Sequence, residues 1–360
     1  MMDETVNLSF CQQLPKVELH AHLNGSISPK TMAELTEKKT KSQNSSLETT
    51  VDAIRRWNES VKKREKRILN ECFETFKHIH KVVTDVEAVK MVTQDVIREF
   101  AEDGVRYLEL RSTPRDIPEH GMTKKLYIDA VLKGIEMCEE EGLNIIVKFL
   151  PSVDRRMSVE AAGEVVKLAL EYNRATDSKV VGLDLSGDPS KGNMESIVPL
   201  LKRARNSGLK LAIHAAEREN MNSDSRILLG TPPDRIGHGT FLHTEVGGQQ
   251  ELVDIVERHR IPIEMCLTSN FIGGTVPVLE NHHLRFWHRK SHPCVICTDD
   301  KGVFSTTLSE EYLLAATTFG MSRRDLWSLS EGAIDHVFAS EEVKGLLHRV
   351  WKDARIKLGR

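Results

Sequence analysis

Short stretches rich in β-branched and other apolar residues recur along the chain at 16–23, 105–111, 144–150, 180–185, 210–215, 235–237, 261–267 and 294–298. Between most of them the apolar positions fall instead at spacings of three and four. Val89, Val92, Val96 and Phe100 make one such face, and Gly104 follows as a stop signal. Thr123 opens a second helical stretch that reaches Glu141 and closes at Gly142, and Ser158 opens a third. Alternating strand and helix predicts parallel strands with helices outside. Eight strand candidates are the number that closes a (β/α)8 barrel of TIM type. A doubly wound open sheet is the alternative, but it signals its ligand with a glycine-rich turn after the first strand. Here that turn reads His20-Ala21-His22-Leu23-Asn24-Gly25-Ser26, which offers imidazoles. The expectation is an α/β barrel of the metal-dependent hydrolase type, one domain over 1–360, with additional outer helices over 320–360.

Composition narrows the class. Lys plus Arg number 50 and Asp plus Glu 53, a net charge of −3. That balance argues against a nucleic-acid polymer as partner, because such binders cluster cations against phosphates. An apolar share of 39% with 29% charged residues suits a soluble globule. No apolar run approaches the ~20 residues of a membrane span, and the start Met1-Met2-Asp3-Glu4 carries no apolar signal segment. Six cysteines in 360 residues are too few for a disulfide scaffold and read as reduced thiols in the cytosol. Nothing asks for more than a monomer. Segment 37–67 is rich in Lys, Arg, Ser and Thr and ends Lys62-Lys63-Arg64-Glu65-Lys66-Arg67. It reads as a charged, solvated insertion with some helix, in preference to a phosphate-attracting lid.

The chemistry concentrates at strand ends. In the first strand Val17, Leu19, Ala21 and Leu23 share one face, while Glu18, His20, His22 and Asn24 share the other. Alone, His-x-His is a weak metal signal. The fifth strand, however, runs into His214-Ala215-Ala216-Glu217, the sixth into Gly237-His238-Gly239, and the eighth into Thr298-Asp299-Asp300. The C-terminal ends of the strands form the catalytic face of a barrel. His20, His22 and His214 with Asp299 make a three-nitrogen, one-oxygen set that suits a single zinc ion with an open position for water. Glu217, outside the ligand set but near it, is placed as general acid. His238 is placed to orient or stabilise the hydroxide, and Asp300 to meet the substrate.

These segments, with Leu14-Pro15-Lys16-Val17 leading into the first strand, resemble the signature of the adenosine deaminase family in order and spacing over about residues 14–345. The chain looks most similar to the branch that acts on N6-methyl-AMP. That likeness rests on Leu23-Asn24-Gly25-Ser26, Leu110-Arg111-Ser112-Thr113-Pro114-Arg115, Val153-Asp154-Arg155-Arg156, Leu185-Ser186-Gly187-Asp188-Pro189 and Asp299-Asp300-Lys301-Gly302. The resemblance implies a hydrolytic deaminase with one zinc ion per chain, yielding IMP and methylamine from N6-methyl-AMP. Zinc hydroxide would attack C6 of the purine and Glu217 would protonate N1. The Gly187 backbone would meet N3, Asp300 would meet N7, and His22, His80 and Asp154 would be substrate contacts. Adenosine deaminases proper carry His-Leu-Asp-Gly where this chain has His22-Leu23-Asn24-Gly25. A carboxylate there would repel a 5′-phosphate, whereas Asn24 removes the charge and can donate. Ser112, Thr113, Pro114 and Arg115 then read as a phosphate cradle of two hydroxyls and a fork-shaped cation.

Three rivals frame that reading. The first is adenosine deaminase acting on the free nucleoside. The second is a two-metal amidohydrolase, which usually wants a bridging Lys or Glu near the end of the fourth strand, where this chain reads Leu183-Asp184-Leu185-Ser186-Gly187. The third is a non-catalytic purine-nucleotide-binding barrel, against which the retained Glu217 speaks. His243-Thr244-Glu245 with Pro293-Cys294-Val295-Ile296-Cys297 also matches the letters of the cytidine-type zinc deaminases. That match is rejected, because the Cys pair falls in a strand instead of at a helix start, and residues three apart on a strand face opposite ways.

Overall fold

Eight parallel strands pair with their neighbours in chain order: β1 (Lys16–His22), β2 (Val105–Ser112), β3 (Ile146–Asp154), β4 (Gly182–Ser186), β5 (Lys210–Ala215), β6 (Arg235–His238), β7 (Ile263–Met265) and β8 (Cys294–Ile296). The computed structural model describes residues 5–43, 48–63, 69–174 and 179–358. Residues Met1, Met2, Asp3 and Glu4, and positions 64–67 of the basic run, lie outside the described residues. Each expected strand is present. The last two are shorter than their apolar runs suggest. After β7 the chain turns at once into a helix, Leu267–Ile272. After β8 the backbone N–H and hydroxyl of Thr298 donate to Glu18 Oε2, each at 2.9 Å, instead of to a ladder.

The barrel closes between β1 and the residues that follow β8. Asp299 N donates to His20 O at 2.8 Å and His22 N donates to Asp299 O at 3.0 Å. Closure is therefore made by the backbones of three residues whose side chains form the candidate site.

Helices between the strands cover the outside, and their sequence signals hold. Thr123 caps Lys124–Glu140, Ser158 caps Val159–Asn173, and Asp85 caps Val86–Glu102 through Ala88 N at 2.8 Å. Gly104, with φ +85°, ends the last of these; a β-carbon there would sit 2.5 Å from Gln12 O. The outer helices of the C-terminal region are Arg323–Gly332 and Glu341–Lys357. Their buried residues, Trp327 and Trp351 among them, join the apolar core that begins at Phe10.

Segment 37–67 departs from its reading as a solvated insertion. Its positions 37–43 and 48–62 belong to helices Pro29–Gln43 and Glu48–Lys62, which precede a third, Leu69–Val82. Leu35, Thr36, Lys39, Thr50, Ile54 and Trp57 are buried. Lys39 apart, the charged residues described there lie on the other face, so the high Lys and Arg content hid an amphipathic pattern. Lys39 Nζ ties the first of these helices to Asp85 at 2.7 Å.

Candidate active site

The barrel interior is unusual in what fills it. In place of layers of Val, Ile and Leu, the inward positions of β1, β2, β4, β6 and β7 carry Glu18, His20, Glu109, Arg111, Asp184, Arg235 and Glu264, all fully buried. Arg111 Nη1 donates to Asp184 at 3.1 Å, and its Nη2 lies 3.0 Å from both oxygens of Glu264. Arg235 Nε donates to Glu264 at 2.7 Å, and its Nη2 reaches Glu109. The N-terminal mouth is covered by the segment around Phe338, whose ring lies 3.5 Å from the Arg235 guanidinium carbon and whose N–H donates to Glu109 at 2.6 Å.

This lattice aims the imidazoles. Glu264 Oε2 contacts His20 Nδ1 at 2.8 Å, and Asp184 Oδ1 contacts His214 Nδ1 at 3.2 Å. Each ring thereby turns its Nε2 toward the C-terminal mouth, the arrangement that second-layer carboxylates impose on metal-ligating histidines. There His20 Nε2 and His22 Nε2 lie 3.3 and 3.4 Å from Asp299 Oδ1, and His22 Nε2 lies 3.3 Å from His214 Nε2. Ligand atoms on a tetrahedral zinc with bonds of ~2.0–2.1 Å stand ~3.3–3.4 Å apart. The donor set, three imidazole nitrogens and a carboxylate, is one that zinc takes. His238 joins the cluster: ligand atoms of His20, His214, His238 and Asp299 all fall within 4.8 Å of one another. Its Nε2 stands farther off, 3.9 Å from Asp299 Oδ2.

Charge supports a cation at the same point. Among the described residues of this lattice, two guanidinium groups face the three carboxylates Glu109, Asp184 and Glu264, and Asp299 adds a fourth carboxylate beside the imidazoles. The excess is negative. Burial works against a charge on His20, yet Asp299 and Glu264 on its two sides lift it to about 9. His22, buried beside other imidazoles, is pushed down to about 3, and His238 falls well below the usual histidine range for the same reason. Both are neutral ligands or hydrogen-bonding groups near pH 7. Ser269 Oγ donates to Asp299 Oδ2 at 2.6 Å and leaves Oδ1 facing the histidines.

The turns that carry the reactive groups are strained in the same way. Ala216, His238 and Asp299 have φ of +50°, +61° and +63°, a left-handed region that costs non-glycine residues. Each sits just past or at the end of β5, β6 or β8; the residues that follow are Glu217, Gly239 and Asp300. Glu217 follows Ala216. Its side chain is 26% exposed and its Oε1 lies 4.0 Å from His238 Nε2. Burial raises its pKa, which favours the protonated form a general acid needs. Asp300 is raised further, first by burial and then by Asp299. Its Oδ1 is buried without a hydrogen-bond partner, and it rests on Gly25, where a β-carbon would sit 1.6 Å from Oδ1. Gly187, with φ +99°, packs on Asp154 at the end of β3, and Asp154 itself is taken up by Arg156 Nε at 2.9 Å.

The expected phosphate cradle is a cleft of about 590 Å³ lined by His80, Lys81, Thr113, Pro114, Arg115 and Lys124, with Thr84, Asp116, Ile117, Glu119 and Met157. Arg115 Nη2 donates to Val83 O at 2.7 Å, and its Nε has no partner. His80 is exposed as a residue, but burial on its cleft side and the Arg115 guanidinium push it down to about 4, so Arg115 supplies the charge. Ser112 differs from expectation. Its hydroxyl is 2.7 Å from Tyr127 OH, which also accepts from Asn24 Nδ2 at 3.4 Å. Tyr127 thus links two of the expected contacts, and nothing in its helical spacing singled it out.

The cytidine-type match fails as expected. Cys294 and Cys297 are buried in and beside β8, and His243 stacks on Phe286 at 4.2 Å, far from any ligand set. Asp184, midway along β4, turns its Oδ1 to Arg111 at 3.1 Å and to His214 at 3.2 Å, and so serves the histidine lattice. Sequence reasoning missed Asp184, Glu264, Arg235 and Glu109. Their signal was present: charged residues at alternate positions inside apolar strands have no place except a polar barrel interior.

The chain matches the adenosine deaminase family over residues 15–353. It is 50% identical over 354 residues to a protein of Danio rerio named N6-methyl-AMP deaminase, covering 98% of this chain and 99% of that one. To the human protein of the same name it is 49% identical over 342 residues, 95% and 94% of the two chains. A crystal structure described as Arabidopsis ADAL complexed with IMP superposes with a TM-score of 0.85 at 37% identity, covering 97% of this chain and 99% of that one.

Proposed function

The chain belongs to the adenosine deaminase family and is an aminohydrolase, and from that premise we propose that it hydrolyses N6-methyl-AMP to IMP and methylamine with one zinc ion per chain. His20, His22, His214 and Asp299 would hold the ion. Bound there, zinc supplies Lewis-acid activation of the water that attacks C6.

The chain's own groups do the rest. Glu217, whose pKa burial raises, donates to purine N1 as C6 becomes tetrahedral. Asp300, whose pKa burial and the neighbouring Asp299 raise well above the usual carboxylate range, donates to N7, which is an acceptor. Together they hold the ring with C6 over the mouth of the barrel. His238 faces the same space and hydrogen-bonds the attacking oxygen. The hydroxyl proton on C6 passes to the departing methylamine as the C6–N bond breaks, leaving the C6 oxygen as the carbonyl of IMP, and the water's other proton restores the Glu217 carboxyl. The backbone of Gly187 faces N3. His80, Thr113 and Pro114 line the cleft, and Ser112 and Asp154 would be further substrate contacts.

The observation that carries the nucleotide over the nucleoside is the cationic cleft headed by Arg115, with Asn24 in place of a carboxylate. A charge-assisted hydrogen bond contributes ~1.5–3 kcal/mol, roughly ten- to a hundredfold in kcat/KM. Every residue of the site comes from one chain, so a monomer suffices, and the buried free thiols suit the cytosol. No helix among the described residues is long and apolar enough to cross a membrane. The test is a panel of adenosine, AMP, N6-methyladenosine and N6-methyl-AMP with metal content recorded. N6-methyl-AMP should be preferred, and Arg115→Ala should weaken its turnover while leaving any nucleoside activity nearly unchanged. Preference for adenosine, or equal losses on both substrates, would refute the assignment.

A further inference from the structure

His20 and His214 set their Nδ1 on carboxylates, whereas the Nδ1 of His238 meets an amide. Asn270 Nδ2 lies 3.3 Å from it. Which way that amide faces follows from its other partners. Leu284 N donates to His282 Nδ1 at 3.0 Å, and a backbone N–H can only donate. His282 is pushed down to about 3 by burial and carries a single ring proton, which must then be on Nε2. His282 Nε2 lies 3.0 Å from Asn270 Oδ1 and donates to it. The opposite end of the amide is therefore the NH2 group. Thr275 agrees independently: its hydroxyl donates to Asn270 O at 3.2 Å, so toward the Asn270 side chain, 3.3 Å away, it can only accept. His283 Nε2, at 2.8 Å from His238 O, anchors the backbone of the same residue.

We infer that Asn270 and His282 are positioning residues that fix His238 in the tautomer with its proton on Nε2. A proton on Nδ1 would face the amide hydrogens of Asn270. With Nδ1 already accepting, His238 presents an N–H to the site and has no free lone pair there. It acts as a hydrogen-bond donor to the oxygen that attacks C6, and it does not remove the proton from the attacking water. This rests on the hydrolytic reading above.

The test is NMR of the zinc-loaded enzyme with isotopically labelled histidine, the His238 signals assigned by their loss in His238→Gln. Nε2 should be the protonated nitrogen and Nδ1 the bare one. Asn270→Asp keeps the shape but turns an acceptor toward Nδ1, so the His238 signals should switch to the other tautomer. Zinc should be retained, and kcat on N6-methyl-AMP should fall about 10–100-fold with KM little changed. His282→Leu, which frees the amide to turn, should lower kcat, and His282→Gln, which keeps a donor toward Asn270 Oδ1, should recover most of it. A protonated Nδ1 in the wild-type enzyme overturns the inference, as does full turnover by an Asn270→Asp enzyme whose tautomer has switched. If no purine nucleotide is turned over at all, the proposed function fails, and the NMR readout alone still decides the tautomer.

Discussion

Glu217, read from the sequence as a general acid, stands one residue past a strained Ala216. It is close to the ligands without being one, and burial holds it toward the protonated form. Glu217→Gln preserves shape and hydrogen bonding but has no proton to give. Zinc content and substrate affinity should stay near wild type while kcat falls ~10²–10⁴-fold, the usual range for general acid–base groups. Near-normal turnover would remove Glu217 from the chemistry. At this scale the sequence was readable for groups that interrupt an apolar strand end, such as His214 and Asp299. It was not readable for Tyr127 or Asn270, whose partners come from Asn24, Ser112 and His282 on other elements.

Among the elements, β6 shows how tightly the strands are shaped around the site. Gly237 has ordinary backbone angles, yet a β-carbon there would sit 2.9 Å from His20 Cε1 and 3.2 Å from His214 Nδ1. Two ligand rings pack directly on its Cα. Gly237→Ala should therefore displace both rings and lower zinc occupancy by elemental analysis, while far-ultraviolet circular dichroism shows the barrel intact. Unchanged zinc affinity would mean the rings can shift without cost. The helices illustrate the opposite lesson. Caps such as Asp85, Thr123 and Ser158 are local, and their positions were legible from three or four residues of sequence. The helices in 37–67 were misread as solvated because their buried face is sparse and set among many charges.

For the whole molecule, Lys16 at the start of β1 reports on folding. Its ammonium is buried, donating to Cys11 O at 2.7 Å and Leu14 O at 2.9 Å, and burial pushes it from 10.5 down to about 8. A lysine with a lowered folded pKa is the reverse of an ion-paired one. Between pH 8 and 10.5 the unfolded chain binds the extra proton, so this group's contribution makes stability rise with pH across that window. The size is of order a few kcal/mol at ~1.4 kcal/mol per pH unit. Denaturant unfolding of wild type and Lys16→Met from pH 7.5 to 10.5 should show the wild-type curve gaining relative to the variant as pH rises. Parallel curves would mean the lysine is solvated or fully charged in the fold.

The sequence by itself determined the alternation of strand and helix, and hence the barrel, because each element's period and caps are set by near neighbours along the chain. It also placed His20, His22, His214 and Asp299 at strand ends, since a polar residue closing an apolar strand has one mouth to face. Only the tertiary structure decided which carboxylate aims which imidazole, that Arg111 and Arg235 neutralise the interior, and that Asn270 governs His238. Those pairings join residues 29 to 244 positions apart. Their partners are chosen by barrel closure and register, which bring together inward side chains that no local pattern relates.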